Sequence, residues 1–388
     1  MVIKPKIRNN ICMNAHPEGC ALNVKKQIAY VKSKESLQYP KNALVIGCSN
    51  GYGLATRIAA AFGAGAGTIG VAFEKPSTET RPGSAGWYHM QAFDREAEKA
   101  GLISETINAD AFSYETKHNV AKKIKQLFGS VDLVIYSLAS GVRIHPDTGE
   151  KYRSALKPIG KTYRAKSVDP MENTINETVI EPANKQEVHD TVKVMGGEDW
   201  KLWIDVLNEA GVLSEGAMTL AYSYIGPAIT YPVYREGTIG KAKEHLEQTA
   251  KELTSSLSTI NGNAIVSVNK ALVTRASAVI PVVPLYLSIL FKVMKEKSIH
   301  EGCIEQMYRL IHKKIGTSGA PDIDKEGRIR LDDYEMRPDV QNEVQSMWDS
   351  INTGNLKELS DIEGYNRDFL QLHGFGFPEI DYDKDVTP

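Results

Sequence analysis

The chain is short of cysteine, of net charge and of long apolar runs, and each shortage removes a class of protein. Four cysteines, Cys12, Cys20, Cys48 and Cys303, are spread over 388 residues. They show no metal-ligand spacing and are too few for a disulfide framework, so a reducing, cytoplasmic setting is expected and no metal site. Lysine and arginine total 46 against 48 aspartates and glutamates, a net charge of -2. No basic excess is available to neutralise nucleic-acid phosphates, so no nucleic-acid partner is expected. The first 20 residues contain no apolar core of a secretory signal. The longest apolar stretch, Ala278 to Phe291, has 14 residues and two prolines. That is too short to span a bilayer, so no membrane partner is expected either. It reads as a buried helix or as the wall of an apolar ligand pocket.

What the sequence does have is 42% hydrophobic and 24% charged residues, ordinary for a globular protein with a large core. "NALVIG" (Asn42–Gly47) is a short apolar run ending in a glycine-rich turn, "TRIAAAFGAG" (Thr56–Gly65) reads as helix, and "TIGVAFE" (Thr68–Glu74) as a second strand. That order is a βαβ unit. "VDLVIYSLA" (Val131–Ala139) and "NAIVSVN" (Asn263–Asn269) are further buried-strand runs, with helical patterns at Asn119–Leu127 and Lys241–Ile260 between them. The expected fold is α/β: a Rossmann-like, doubly wound parallel sheet with helices on both faces, elaborated as one domain over residues 1–388. Residues 141–199 read as an excursion off the sheet, with hairpins. Residues 275–388 read as a substrate-covering C-terminal extension.

"GCSNGYG" places Gly47, Gly51 and Gly53 between a strand and a helix. Glycine is needed where backbone turns sharply and where it approaches a pyrophosphate, and the helix N-terminus then offers free N–H groups to the phosphates. The strand–turn–helix context makes this a nucleotide site. Glu74 ends the second strand, 21 residues after Gly53. A carboxylate there accepts from the adenosine ribose hydroxyls and repels the extra phosphate of NADP, so NADH is the expected cofactor, with the neighbouring Lys75 partly offsetting that charge.

Ser223 to Gln248, "SYIGPAITYPVYREGTIGKAKEHLEQ", packs three tyrosines ahead of a helical pattern. Many nicotinamide reductases use a tyrosine as proton donor and a lysine that holds the nicotinamide ribose. Among 17 tyrosines only Tyr30 has a lysine four positions on, and it lies upstream of the glycine turn, so the common carbonyl-reductase spacing is absent. Tyr234 has Lys241 seven and Lys243 nine positions on. These lysines point about 200° apart on a helix. Relative to the apolar stripe Ala242, Leu246, Ala250, Leu253 and Leu257, Lys243 lies roughly 60° from its centre and Lys241 roughly 140° away. Lys243 is therefore the cleft lysine. Tyr231, before Pro232, reads as packing.

This segment resembles the active-site segment of enoyl-thioester reductases. Tyr224 and Tyr234 reproduce the tyrosine pair of the shorter bacterial enoyl-ACP reductases, and Gly240, Ala242, Lys243, Leu246 and Glu247 the start of their helix. The wider Tyr234–Lys243 gap, with "GCSNGYGLA", "YSLAS" and "VNKALVT" elsewhere, resembles the trans-2-enoyl-CoA reductases and FabV-type enoyl-ACP reductases over nearly the whole chain, and the clostridial trans-2-enoyl-CoA reductases most. The resemblance implies a short-chain-dehydrogenase-like enzyme that reduces an enoyl thioester, enoyl-CoA or enoyl-ACP, with NADH, as a monomer or weak dimer. It implies cofactor contacts at Gly47, Cys48, Ser49, Asn50, Gly51 and Tyr52 on the phosphates and at Phe73 and Glu74 on the ribose. Asp110 and Ala111 would meet the adenine, Leu138 and Ala139 would follow the fourth strand, Lys243 would hold the nicotinamide ribose, and Leu272, Val273 and Thr274 would touch the nicotinamide end. Tyr234 would be the acid and Tyr224 the substrate-side partner. The alternatives are a carbonyl or 3-ketoacyl reductase on the same fold and, from another class, an NADH-sensing binding protein. "DIDKEGRIRLDD" (Asp322–Asp333) mimics a calcium loop. It lacks an entering helix, since "TSGAP" precedes it, and has Asp in place of the last Glu, so it reads as a surface hairpin.

Overall fold

The computed structural model describes residues 1–8, 11–315 and 321–388. Seven parallel strands form one sheet: β1 (Asn42–Ile46), β2 (Gly67–Ala72), β3 (Ser104–Asn108), β4 (Val131–Tyr136), β5 (Leu213–Ser223), β6 (Asn263–Val268) and β7 (Ile329–Arg330). Their spatial order is β7-β6-β5-β4-β1-β2-β3, and every pairing is parallel. The chain works outward from β1 to β3, then crosses back to β4 on the other side of β1. That reversal is the topological switch point where doubly wound sheets bind ligands.

Alternation along β1 shows why both faces are covered. Ala43 and Val45 enter one core with helices α1 (Pro17–Lys32), α2 (Gly51–Ile58), α3 (Ala85–Lys99) and the segment around Met307. Leu44 and Ile46 enter the opposite core with α4 (Tyr114–Leu127), α5 (Glu198–Glu209) and α6 (Thr238–Ser256). A strand buried on both faces needs apolar residues at every position, as Ala43–Ile46 supplies. A third core lies beyond the carboxyl ends of the strands. It gathers Val233, Tyr234 and Ala271–Val273 under α7 (Val283–Glu296), α8 (Pro338–Ser350) and α9 (Ile362–Gln371). Residues 141–199 carry two antiparallel hairpins outside the main sheet, Val142–Ile144 with Lys151–Arg153 and Tyr163–Asp169 with Thr174–Ile180. No helix among the described residues is long and apolar enough to cross a membrane.

The surface-hairpin reading of Asp322–Asp333 is corrected by β7. Ile329 and Arg330 pair with Ser267 and Val268 as the edge strand of the main sheet, and Ile329, Leu331 and Asp332 are fully buried. The acids that suggested a calcium loop are paired with cations, Asp322 with Lys314, Asp324 and Glu326 with Arg328, and Asp333 with Arg309. Arg328 Nε donates to Asp324 Oδ2 at 2.9 Å, and Arg330 donates twice to Asp332, each at 2.7 Å. No cluster of three metal-ligating side chains occurs among the described residues. The residues "TSGA" of the preceding run lie outside them.

Candidate active site

The glycines of the β1–α2 turn are there for two different reasons. Gly47 adopts φ +90° and Gly51 φ +53°, left-handed conformations that side chains resist. A Cβ on Gly53 would collide with the Gly47 carbonyl, and one on Gly47 with the backbone of Ser137 after β4. The turn is thus pressed against the end of β4 at the switch point. At the mouth of α2, the side-chain nitrogen of Asn50 and Nε2 of His89 are buried without a hydrogen-bond partner. His89 Nδ1 sits 2.9 Å from Asn50 Oδ1 and 3.2 Å from the Ser49 carbonyl, and burial pushes the imidazole down to about 4. The buried, unpartnered side-chain amide N–H of Asn50 at a helix N-terminus fits a phosphate-bearing dinucleotide.

The remaining candidates lie along the same edge, after the carboxyl ends of successive strands. Glu74, after β2, accepts from Ser49 Oγ at 2.8 Å and from Arg275 at 3.0 and 3.3 Å. A Cβ on Gly86 would strike the same carboxylate. Phe73 is turned to solvent, 78% exposed. After β3, Asp110 accepts from the Phe112 N–H at 3.0 Å. The Ala111 carbonyl accepts from Lys117 and from Trp203, both at 3.0 Å. Lys117 is itself fully buried on Asp199 at 2.8 Å, with the Tyr136 hydroxyl donating to the other oxygen at 3.1 Å. That network pins the turn to the core. Leu138 packs on the α5–α6 core, and Ala139 is exposed. After β6, Leu272 and Val273 are buried, and Thr274 closes a turn on Ser277, whose hydroxyl donates to the Leu272 carbonyl at 2.7 Å. Thr274 faces Gly51, 3.7 Å from where a Cβ would stand. The Tyr52 hydroxyl donates to the Lys270 carbonyl. Tyr52 also packs edge-on against Tyr222, centroids 6.1 Å apart.

Tyr234 is buried after β5 with Tyr224 edge-on against it, ring centroids 4.9 Å apart at 82°. Burial pushes its phenol well above the usual tyrosine range, so it holds its proton at neutral pH. The two lysines part as helix phase requires. Lys241 is exposed and pairs with Glu244 at 2.8 Å, whereas Lys243 donates to the Tyr222 carbonyl at 3.0 Å. Burial brings the Lys243 amine down to about 8. Tyr231 is half-buried, its carbonyl accepting from the Glu236 N–H at 2.8 Å. Sequence reasoning missed Arg275 on Glu74, His89 under the turn, and Glu335, which accepts from Tyr224 at 2.9 Å. Nothing in the local pattern of any of the three marks it.

The comparisons with known proteins follow the same outline. Residues 81–315 match the family model for the trans-2-enoyl-CoA reductase catalytic region, and residues 2–79 match that for the NAD(P)H binding domain of trans-2-enoyl-CoA reductase. The chain is similar to the enoyl-[acyl-carrier-protein] reductase [NADH] of Cytophaga hutchinsonii, 55% identical over 100% of this chain and 98% of the relative. It is similar to the trans-2-enoyl-CoA reductase [NADH] of Ruminiclostridium cellulolyticum, 53% identical with the same coverage. The crystal structure of Treponema denticola trans-2-enoyl-CoA reductase in complex with NAD superposes with a TM-score of 0.97 at 53% identity, over 100% of this chain and 98% of that one. Residues 323–386 match a model described as an enoyl reductase FAD binding domain. In this chain that segment supplies the two-residue β7 and helices, and no glycine-rich turn there joins a strand to a helix. Its residues do not fit a second dinucleotide cradle. A glycine-rich turn at the switch point, a buried tyrosine and a lysine on the elements that follow β5, and two family models that span them agree: the chain belongs to the trans-2-enoyl-CoA reductase family.

Proposed function

We propose that the protein reduces the C2=C3 double bond of trans-2-enoyl thioesters with NADH, crotonyl-CoA to butyryl-CoA being the simplest case. The observation that carries this is Tyr234, buried against Tyr224 after β5, with Lys243 of α6 on the Tyr222 carbonyl, in a chain of this family. Bound in the Gly47–Tyr52 cradle, with Glu74 toward the adenosine ribose, NADH supplies the hydride that adds to the β-carbon. Charge then develops on the thioester oxygen as an enolate, and a donor placed on that oxygen stabilises the transition state. Tyr234 is the donor, since its elevated pKa keeps the proton available. Lys243 holds the nicotinamide ribose, and Leu272–Thr274 bound the nicotinamide end. The apolar wall for the acyl chain is α7, whose residues Leu285–Phe291 are all buried. Relatives named for acyl carrier protein and for CoA are comparably similar, 55% and 53% identical, so the substrate class is the pantetheine thioester that both carriers share.

The test is turnover of crotonyl-CoA and acetoacetyl-CoA with NADH by the wild type and by Tyr234→Phe. Crotonyl-CoA is consumed and acetoacetyl-CoA is not. Tyr234→Phe loses on the order of 100-fold or more in kcat while still binding NADH. Near-normal turnover by that variant would remove Tyr234 from its role, and reduction of acetoacetyl-CoA alone would make the protein a carbonyl reductase.

A further inference from the structure

Two tyrosines stand face to edge in this site, and a substrate oxygen needs one proton. The structure distinguishes them through a carboxylate from the far end of the chain. Glu335, between β7 and α8, is completely buried. Its Oε1 accepts from the Tyr224 hydroxyl at 2.9 Å and the Tyr286 hydroxyl at 2.7 Å, and its Oε2 accepts from the Ala271 N–H at 2.7 Å. Gln341 fixes the backbone, donating to the Glu335 carbonyl at 2.7 Å and to the Tyr286 hydroxyl at 3.2 Å. Three donors on two oxygens suit an ionised carboxylate, which only accepts. Protonating it would turn one of those bonds around. A phenol has a single proton, and Tyr224 gives its own to Glu335. The Tyr234 hydroxyl makes no such hydrogen bond among the described residues, and Glu335 acts on it only through its charge, which adds to burial in raising its pKa.

We propose that Glu335 is a positioning residue that captures the only proton of Tyr224, fixes that ring against Tyr234, and so leaves Tyr234 as the one tyrosine of the pair free to serve the substrate oxygen. The last clause rests on the proposed function; the coupling of Glu335 to Tyr224 does not. The segment after residue 322 thereby acts in the site as the source of a carboxylate. The same carboxylate ties three elements together: the loop after β5 through Tyr224, the loop after β6 through Ala271, and the acyl-facing helix α7 through Tyr286.

A double-mutant cycle with crotonyl-CoA and NADH tests it, using the wild type, Tyr224→Phe, Glu335→Gln and the double variant. Glu335→Gln lowers kcat on the order of 10- to 100-fold, as a misplaced reactive group does, while NADH binding and the KM for crotonyl-CoA stay within about threefold. In the Tyr224→Phe background the same substitution changes kcat by less than about twofold, because its route of action is already gone. Equal losses in both backgrounds overturn the proposal, since they mark an effect through Ala271, through Tyr286 or through the charge of Glu335 on Tyr234 itself, and so does unchanged kcat in Glu335→Gln. Glu335→Asp keeps the charge and shortens the reach by one methylene. It carries the same cycle if the glutamine variant does not fold. Normal turnover by Tyr234→Phe would overturn the assignment of the acid and leave the Glu335–Tyr224 coupling standing; additivity in the cycle would do the reverse.

Discussion

The pH dependence of cofactor binding isolates Lys243. Burial lowers its amine from the usual 10.5 to about 8, and among the described residues its one hydrogen bond goes to the Tyr222 carbonyl at 3.0 Å. If the ammonium holds the nicotinamide ribose, only the protonated fraction binds. Below pH 8 that fraction is near one. Above it, each pH unit removes about tenfold, about 1.4 kcal/mol. The NADH dissociation constant therefore rises about twofold at pH 8 and about tenfold at pH 9, counting Lys243 alone. Tyr234 does not contribute, because its phenol titrates far higher. Lys270 is the competing explanation, since burial also lowers its amine to about 8. Its Nζ, however, donates to the Ala271 carbonyl and lies over the Phe291 ring. Lys243→Arg separates the two, because a guanidinium stays charged throughout. The assay is equilibrium NADH binding by nicotinamide fluorescence across this range at constant ionic strength. The alkaline weakening occurs in the wild type and is absent in Lys243→Arg. Binding that is flat to about pH 9.5 in the wild type, or weakening that survives in Lys243→Arg, refutes the reasoning. The same lowered pKa makes the Lys243 contribution to folding stability increase from about pH 8 to about 10.5, where the unfolded chain holds a proton that the folded one has released.

Two further outcomes follow from the geometry. Glu74→Ala removes the carboxylate from the proposed ribose site and frees Arg275, so the ratio of kcat/KM for NADPH to that for NADH rises by at least about tenfold, because juxtaposed like charges cost several kcal/mol; steady-state kinetics with both cofactors checks it. Lys117→Met leaves Asp199 buried and unpaired under the Ala111 turn, and denaturant unfolding should show a loss of about 3–5 kcal/mol.

The parts of the site legible in the sequence are those where one residue type answers a local demand. Gly47 and Gly51 need left-handed backbone and Gly53 needs close approach, and all three demands sit in one short turn. Lys241 and Lys243 separate by helix phase alone. What was illegible depends on long-range placement. β5 is the strand that delivers Tyr224, but Gly216 and a register irregularity between Leu213 and Met218 break its apolar pattern. Glu335 reaches Tyr224 across 111 positions, and Arg275 reaches Glu74 across 201. β7 was misread because its flanking acids look free in the sequence and are paired with Arg328 and Arg330 in the fold.

The central claim is the reduction of a carbon–carbon double bond conjugated to a thioester, and isotope placement tests it most directly. With crotonyl-CoA, nicotinamide-deuterated NADH and ordinary water, the account predicts butyryl-CoA carrying deuterium at the β-carbon and a solvent-derived proton at the α-carbon. Deuterium at the α-carbon or on the carbonyl carbon, or crotonyl-CoA recovered unchanged with NADH bound, would contradict it.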